Sequence, residues 1–126
     1  WIFLGVGLLV IAALAVVIIR RRRRANDVPS PIEYGFLEAL DGQGTTYPLS
    51  RGAIRIGRSE ESDIQLVNGS VSRNHAELHR RDDGWYVVDL ASTNGIRVNE
   101  EPVTNAQLNT GDVVEIGEVR FRFVEF

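Results

Sequence analysis

Ser72 and His75 stand three residues apart in the run GSVSRNHAEL at 69–78. A hydroxyl near an imidazole is the beginning of a nucleophile–base pair. Two other polar groupings interrupt apolar runs. Gly57 and Arg58 follow the run AIRI, with Ser59 behind them, and Thr93, Asn94 and Gly95 lie in STNG at 92–95. With Arg73 beside Ser72, the three groupings offer guanidinium groups, hydroxyls, an amide and glycine-exposed backbone N–H groups. That inventory suits a phosphate: arginine makes charge-assisted bonds, serine and threonine donate, and backbone amides fill the remainder. Taken singly, each has a plainer reading. Gly-Arg at a strand end is a turn with a solvated charge, and STNG is a tight turn.

Catalysis asks for more than these residues supply. Ser72 as nucleophile would need an orienting carboxylate and an oxyanion hole, and no G-x-S-x-G elbow surrounds it. On a strand entry, side chains three apart point to opposite faces. The chain is therefore not expected to be an enzyme. His75 and His79 could share a strand face as metal ligands, but two ligands in a chain without cysteine make a weak site. No metal or other cofactor is expected. Asn68-Gly69-Ser70 matches a glycosylation acceptor and is read as chance, since a cytoplasmic loop is not modified.

The elements that must carry these groups are strands. YGFLEAL, TYPL, AIRIG, DIQL, HAELHR, WYVVDL, IRV, VVEI and VRFRFVEF are short runs of apolar or alternating character. Between them lie DGQG, SRG, NGS, DDG, STNG and NTGD, rich in turn residues. No window has the pattern of an amphipathic helix. Nine or more short strands imply an all-β sandwich or barrel. Trp85, Val87, Phe121 and Phe123 fall on alternating positions and are expected in the core, with the arginines of VRFRFVEF pointing outward.

The first 33 residues differ in kind. Residues 1–19 contain no charged or strongly polar side chain, and as a helix they would span about 28 Å, close to the hydrocarbon thickness of a bilayer. A transmembrane helix is expected there. Five arginines follow, Arg20 to Arg24. Charge after the apolar core is the reverse of a signal peptide. Arginines are retained on the cytoplasmic side, so the N-terminus is expected outside and the remainder of the chain cytoplasmic, beneath a bacterial plasma membrane. The same run can rest on anionic headgroups. Residues 20–33 end in the proline-containing linker ANDVPSPIE. A chain with no Met that starts on Trp is expected to belong to a longer protein.

Beyond the arginine run, nine arginines face seventeen carboxylates, a balance of −8. Nucleic acid is excluded as a partner on this ground, because phosphate-backbone affinity needs clustered cations. A single cationic pocket is compatible with that balance.

Gly57-Arg58, Ser72-x-x-His75 and Asn94-Gly95, in this order, resemble the forkhead-associated (FHA) domain family. DIQL, HAEL, WYVVDL and LNTGDVVEIG flank them in agreement, and the resemblance covers residues 34–126. It implies a β-sandwich of about eleven strands with a phosphothreonine-peptide site on loops at one end. By the same resemblance, Arg58 pairs with the phosphate and Ser72 donates its hydroxyl to it. Arg73 adds a contact, Thr93 lines the site, and Asn94 holds the peptide main chain. Gly57 and Gly95 permit the loop geometry, His75 braces the Ser72 loop, and Ser70 lies where a peptide side chain is read. The expectation is a membrane-anchored module that recruits a partner phosphorylated by a Ser/Thr kinase. The alternative is a phosphate-independent scaffold that binds through a sheet face.

Overall fold

The structure, a computed structural model, describes residues 31–126. The expected span at 1–19 and the arginine run lie outside them. Among the described residues no helix is long and apolar enough to cross a membrane.

Eleven strands form two sheets among the described residues. They are β1 (Gly35–Ala39), β2 (Thr46–Pro48), β3 (Ala53–Gly57), β4 (Ile64–Gln65), β5 (Ala76–Arg81), β6 (Gly84–Asp89), β7 (Ile96–Val98), β8 (Glu101–Val103), β9 (Asn105–Leu108), β10 (Val113–Ile116) and β11 (Val119–Glu125). One sheet runs β2-β1-β11-β10-β7-β8 and the other β4-β3-β5-β6-β9. The β3–β4 pair is parallel, by the register Ile56 to Ile64.

Alternation sets which side chains meet between the sheets. Ile54 and Ile56 of β3, Leu78 of β5, and Trp85 and Val87 of β6 point inward from one sheet. Leu37 of β1, Val114 and Ile116 of β10, and Phe121 and Phe123 of β11 meet them from the other. Trp85 and Phe123 pack edge to face, with ring centroids 6.3 Å apart. Each such large apolar side chain contributes about 1.5–3 kcal/mol when fully buried. The four residues expected in the core are fully buried, and Arg120 and Arg122 are exposed. The indole N–H of Trp85 is buried without a hydrogen-bond partner.

The departures from the sequence pattern occur at sheet edges and at the entry to β5. β8 and β9 fall between the runs IRV and VVEI and have no alternating apolar signature. β8 is an edge strand that tolerates Pro102, and β9 is an edge strand that buries only Leu108. DIQL contributes two strand residues, Ile64 and Gln65. HAELHR becomes strand only from Ala76, so His75 stands in the loop before β5.

Register brings three loops to one end of the sandwich. Ile56 of β3 lies opposite Ala76 of β5, and Ala76 lies opposite Asp89 of β6. The exits of β3 and β6 therefore flank the entry to β5. Two backbone bonds continue the ladders past the strands: His75 N–H donates to Ile56 O at 3.0 Å, and Leu90 N–H donates to His75 O at 2.9 Å.

Candidate functional site

His75 is buried to 0% exposure, the only polar or charged residue so buried among those described. Its Nδ1 accepts the Ser72 N–H at 3.0 Å, and its Nε2 lies 2.7 Å from Gly95 O. An Nδ1 that accepts leaves the proton on Nε2, which donates to the Gly95 carbonyl. One ring thus joins the second loop to the third. With both nitrogens bonded to the backbone, neither is left for a metal or for the Ser72 hydroxyl. The side chains of Ser72 and His75 do not simply point apart, as strand geometry predicts. Because His75 precedes the strand, its ring folds back onto the Ser72 amide.

The Ser72 hydroxyl faces the third loop. Its Oγ accepts the Thr93 N–H at 3.1 Å. That bond uses a lone pair and leaves the hydroxyl proton free, so Ser72 is oriented as a donor. Asn94 crosses in the other direction, with Nδ2 donating to Ser70 O at 2.8 Å. Its second N–H and its Oδ1 make no bond among the described residues. Both Thr93 and Asn94 are exposed. The amide is therefore held at one corner with its remaining polar edge open.

The first loop is bonded to the second by its backbone. Arg58 N–H donates to Ser72 O at 3.0 Å, and Ser59 N–H donates to Arg73 O at 3.2 Å. This approach requires glycine before Arg58. A Cβ built on Gly57 would overlap the Arg73 carbonyl. Gly95 answers to a different need: its φ of 74° lies in the left-handed region, and a Cβ there would meet nothing within 4 Å.

Arg58 and Arg73 are exposed and line one recess with Ser59, Glu60 and Glu61. Among the described residues neither guanidinium is within ion-pair distance of a carboxylate, whereas Arg51, Arg55 and Arg120 are all paired. Two unpaired cations, a hydroxyl oriented to donate and an open amide edge now share one end of the molecule. This arrangement fits a dianionic, oxygen-rich group next to an extended chain.

Two supporting residues escape a reading of the motifs alone. Ser92 Oγ donates to Asp89 Oδ1 at 2.5 Å and accepts Gly95 N–H at 2.9 Å, which shapes the third loop. Their spacing, Asp-x-x-Ser across a strand end, is the available signal. Ser70 lies where the resemblance expects a peptide side chain to be read. It is half-buried, and its Oγ donates to Asn68 Oδ1 at 2.7 Å and accepts Glu118 N–H at 2.9 Å. Its hydroxyl is spent inside the protein.

Comparison with known proteins agrees with this geometry. The family model described as FHA domain matches residues 54–117. The chain is 42% identical over 102 residues to an oxoglutarate dehydrogenase inhibitor of Corynebacterium diphtheriae, covering 79% of this chain and 71% of that protein. It is 42% identical over 81 residues to the glycogen accumulation regulator GarA of Mycobacterium tuberculosis, covering 64% of this chain. It spans about half the length of GarA (50%). A structure solved for the structural and functional analysis of phosphothreonine-dependent FHA domain interactions superposes with a TM-score of 0.70 at 35% identity, covering 74% of this chain and 97% of that one.

Proposed function

For this chain, which belongs to the FHA domain family, we propose a phosphothreonine-peptide-binding function carried by the three-loop end of the sandwich. The observation that carries it is the pairing of unpaired Arg58 and Arg73 with a Ser72 hydroxyl that Thr93 N–H orients as a donor. Arg58 and Ser72 bind the phosphate, and Arg73 adds a second cation. Asn94 holds the peptide main chain with its open amide edge, and Thr93 lines the site. Gly57, His75 and Gly95 keep the loops in place. A relative studied for phosphothreonine-dependent interactions supports this reading. Relatives named as an inhibitor and a regulator favour a binding module over an enzyme.

Residues 1–19 anchor the module as a single transmembrane helix with the N-terminus outside. The arginines Arg20 to Arg24 hold the FHA domain at the cytoplasmic face of a bacterial plasma membrane. The anchored domain recruits a protein that a Ser/Thr kinase has phosphorylated.

Titration with a phosphothreonine peptide library and its dephosphorylated counterpart tests the binding claim. Arg58→Ala or Ser72→Ala is expected to remove binding while the fold stays intact. Loss of a charge-assisted phosphate contact corresponds to about 2–5 kcal/mol, more than about tenfold in affinity. Equal binding of dephosphorylated peptides would overturn the reading in favour of a scaffold that uses a sheet face.

A further inference from the structure

Four large apolar side chains are exposed among the described residues, and two of them, Ile32 and Phe126, lie at the ends of the described chain. The other two, Leu40 at 36% and Val67 at 85% exposure, line the same groove. Leu40 follows β1, and its N–H donates to Arg120 O at 2.9 Å. Val67 reaches the groove from the loop after β4. The backbone is bonded on both sides of it: Leu66 N–H donates to Gly57 O at 2.8 Å, and Val71 N–H donates to Asn68 O at 3.1 Å. Val67 is thus presented to water by an ordered turn. A single exposed aliphatic residue is ordinary; here two line one groove.

The groove is continuous with the phosphate-facing loops. Asn94 Nδ2 donates to Ser70 O, and the Ser70 hydroxyl bonds both Asn68 and the Glu118 amide. Asn68 and Glu118 both line the groove. One serine therefore ties its two walls together where the three-loop end gives way to it. We propose that this groove receives a flanking segment of the phosphothreonine partner, with an aliphatic side chain seated between Leu40 and Val67. The inference rests on the phosphothreonine reading above. The occupant follows from continuity, since a chain bound at Ser72 and Asn94 that continues past Ser70 enters the groove. Asp41 and Glu118 also line it and pair with no cation among the described residues, while Arg120, the one cation lining it, is engaged by Glu115, so an acidic residue there is disfavoured.

The test compares peptides on the full chain in detergent micelles. A short phosphothreonine pool carries ~3 degenerate residues on each side, a reach of about 10 Å per arm. Two longer pools carry ~8 residues on each side, with leucine-rich or serine-rich outer positions, a reach of about 27 Å. The leucine-rich pool is expected to bind wild type roughly five- to tenfold tighter than the serine-rich pool. Val67→Ser and Leu40→Ser are expected to erase that difference while leaving the short pool's affinity unchanged. Equal binding of the two long pools, or an advantage that survives both substitutions, overturns the groove while the short pool still supports the phosphothreonine reading. Failure of every pool on wild type overturns both. A change of oligomeric state in Val67→Ser would assign the groove to a second copy of the chain instead.

Discussion

His75 and Ser72 divide a task that their spacing suggests they share. The imidazole bonds backbone on two loops, and the hydroxyl keeps its proton free among the described residues. His75→Ala would strand the Ser72 N–H and the Gly95 carbonyl and open a buried cavity. It is expected to destabilise the domain by about 2–5 kcal/mol, seen in urea denaturation, and to weaken phosphopeptide binding as well. Ser72→Ala removes only an acceptor from the exposed Thr93 amide, so its stability change is expected to stay at about 1 kcal/mol in the same measurement. A similar stability loss in both variants would refute this division of labour. Sequence reasoning singles out Arg58, Ser72 and Asn94, because they carry unusual chemistry at fixed separations, and the fold brings their loops to one end of the sandwich. It does not foresee the fate of Ser70. Whether a hydroxyl faces a ligand or a neighbouring turn depends on Glu118, 48 positions away.

At the scale of elements, the site exists because three strands end together. Gly57 is where this is most exacting, since the β3 exit touches the Arg73 backbone. Gly57→Ala would push the first two loops apart at a cost of about 1–3 kcal/mol. It is expected to lose phosphopeptide affinity without altering any side chain proposed to bind the phosphate, as a titration would register. Unchanged affinity would mean that the close approach has no bearing on the site. Interior strands such as β6 and β11 are legible because burial imposes alternation on them. The edge strands β8 and β9 are not, since they bury few side chains and Pro102 obscures one of them. The loop at 66–75 is also opaque in advance, because its form comes from bonds to β3 and to the β10–β11 turn.

For the whole molecule, charge is the organising property. The acidic balance beyond Arg24 repels anionic surfaces, and the arginine run attracts them. On the proposed membrane anchoring, replacing Arg20 to Arg24 with glutamine is expected to scramble the orientation of the chain in a bacterial plasma membrane, measured by protease protection of residues 34–126. Retained orientation would show that other sequence governs topology. The proposed orientation rests on sequence alone, because the positive-inside rule depends on composition beside a span. The groove of Leu40 and Val67 cannot be read from sequence, because it arises where residues far apart in the chain meet.

Trp85 sits at 0% exposure against Phe123, its indole N–H without a partner. An indole in so apolar a surrounding emits at shorter wavelength than one in water, and in a Trp1→Phe background it is the only indole in the chain. Its emission colour then reports the state of the core, while ligand at the loops leaves it unchanged. A variant that stays blue yet ignores phosphopeptide has lost its site; one that shifts red has lost its fold.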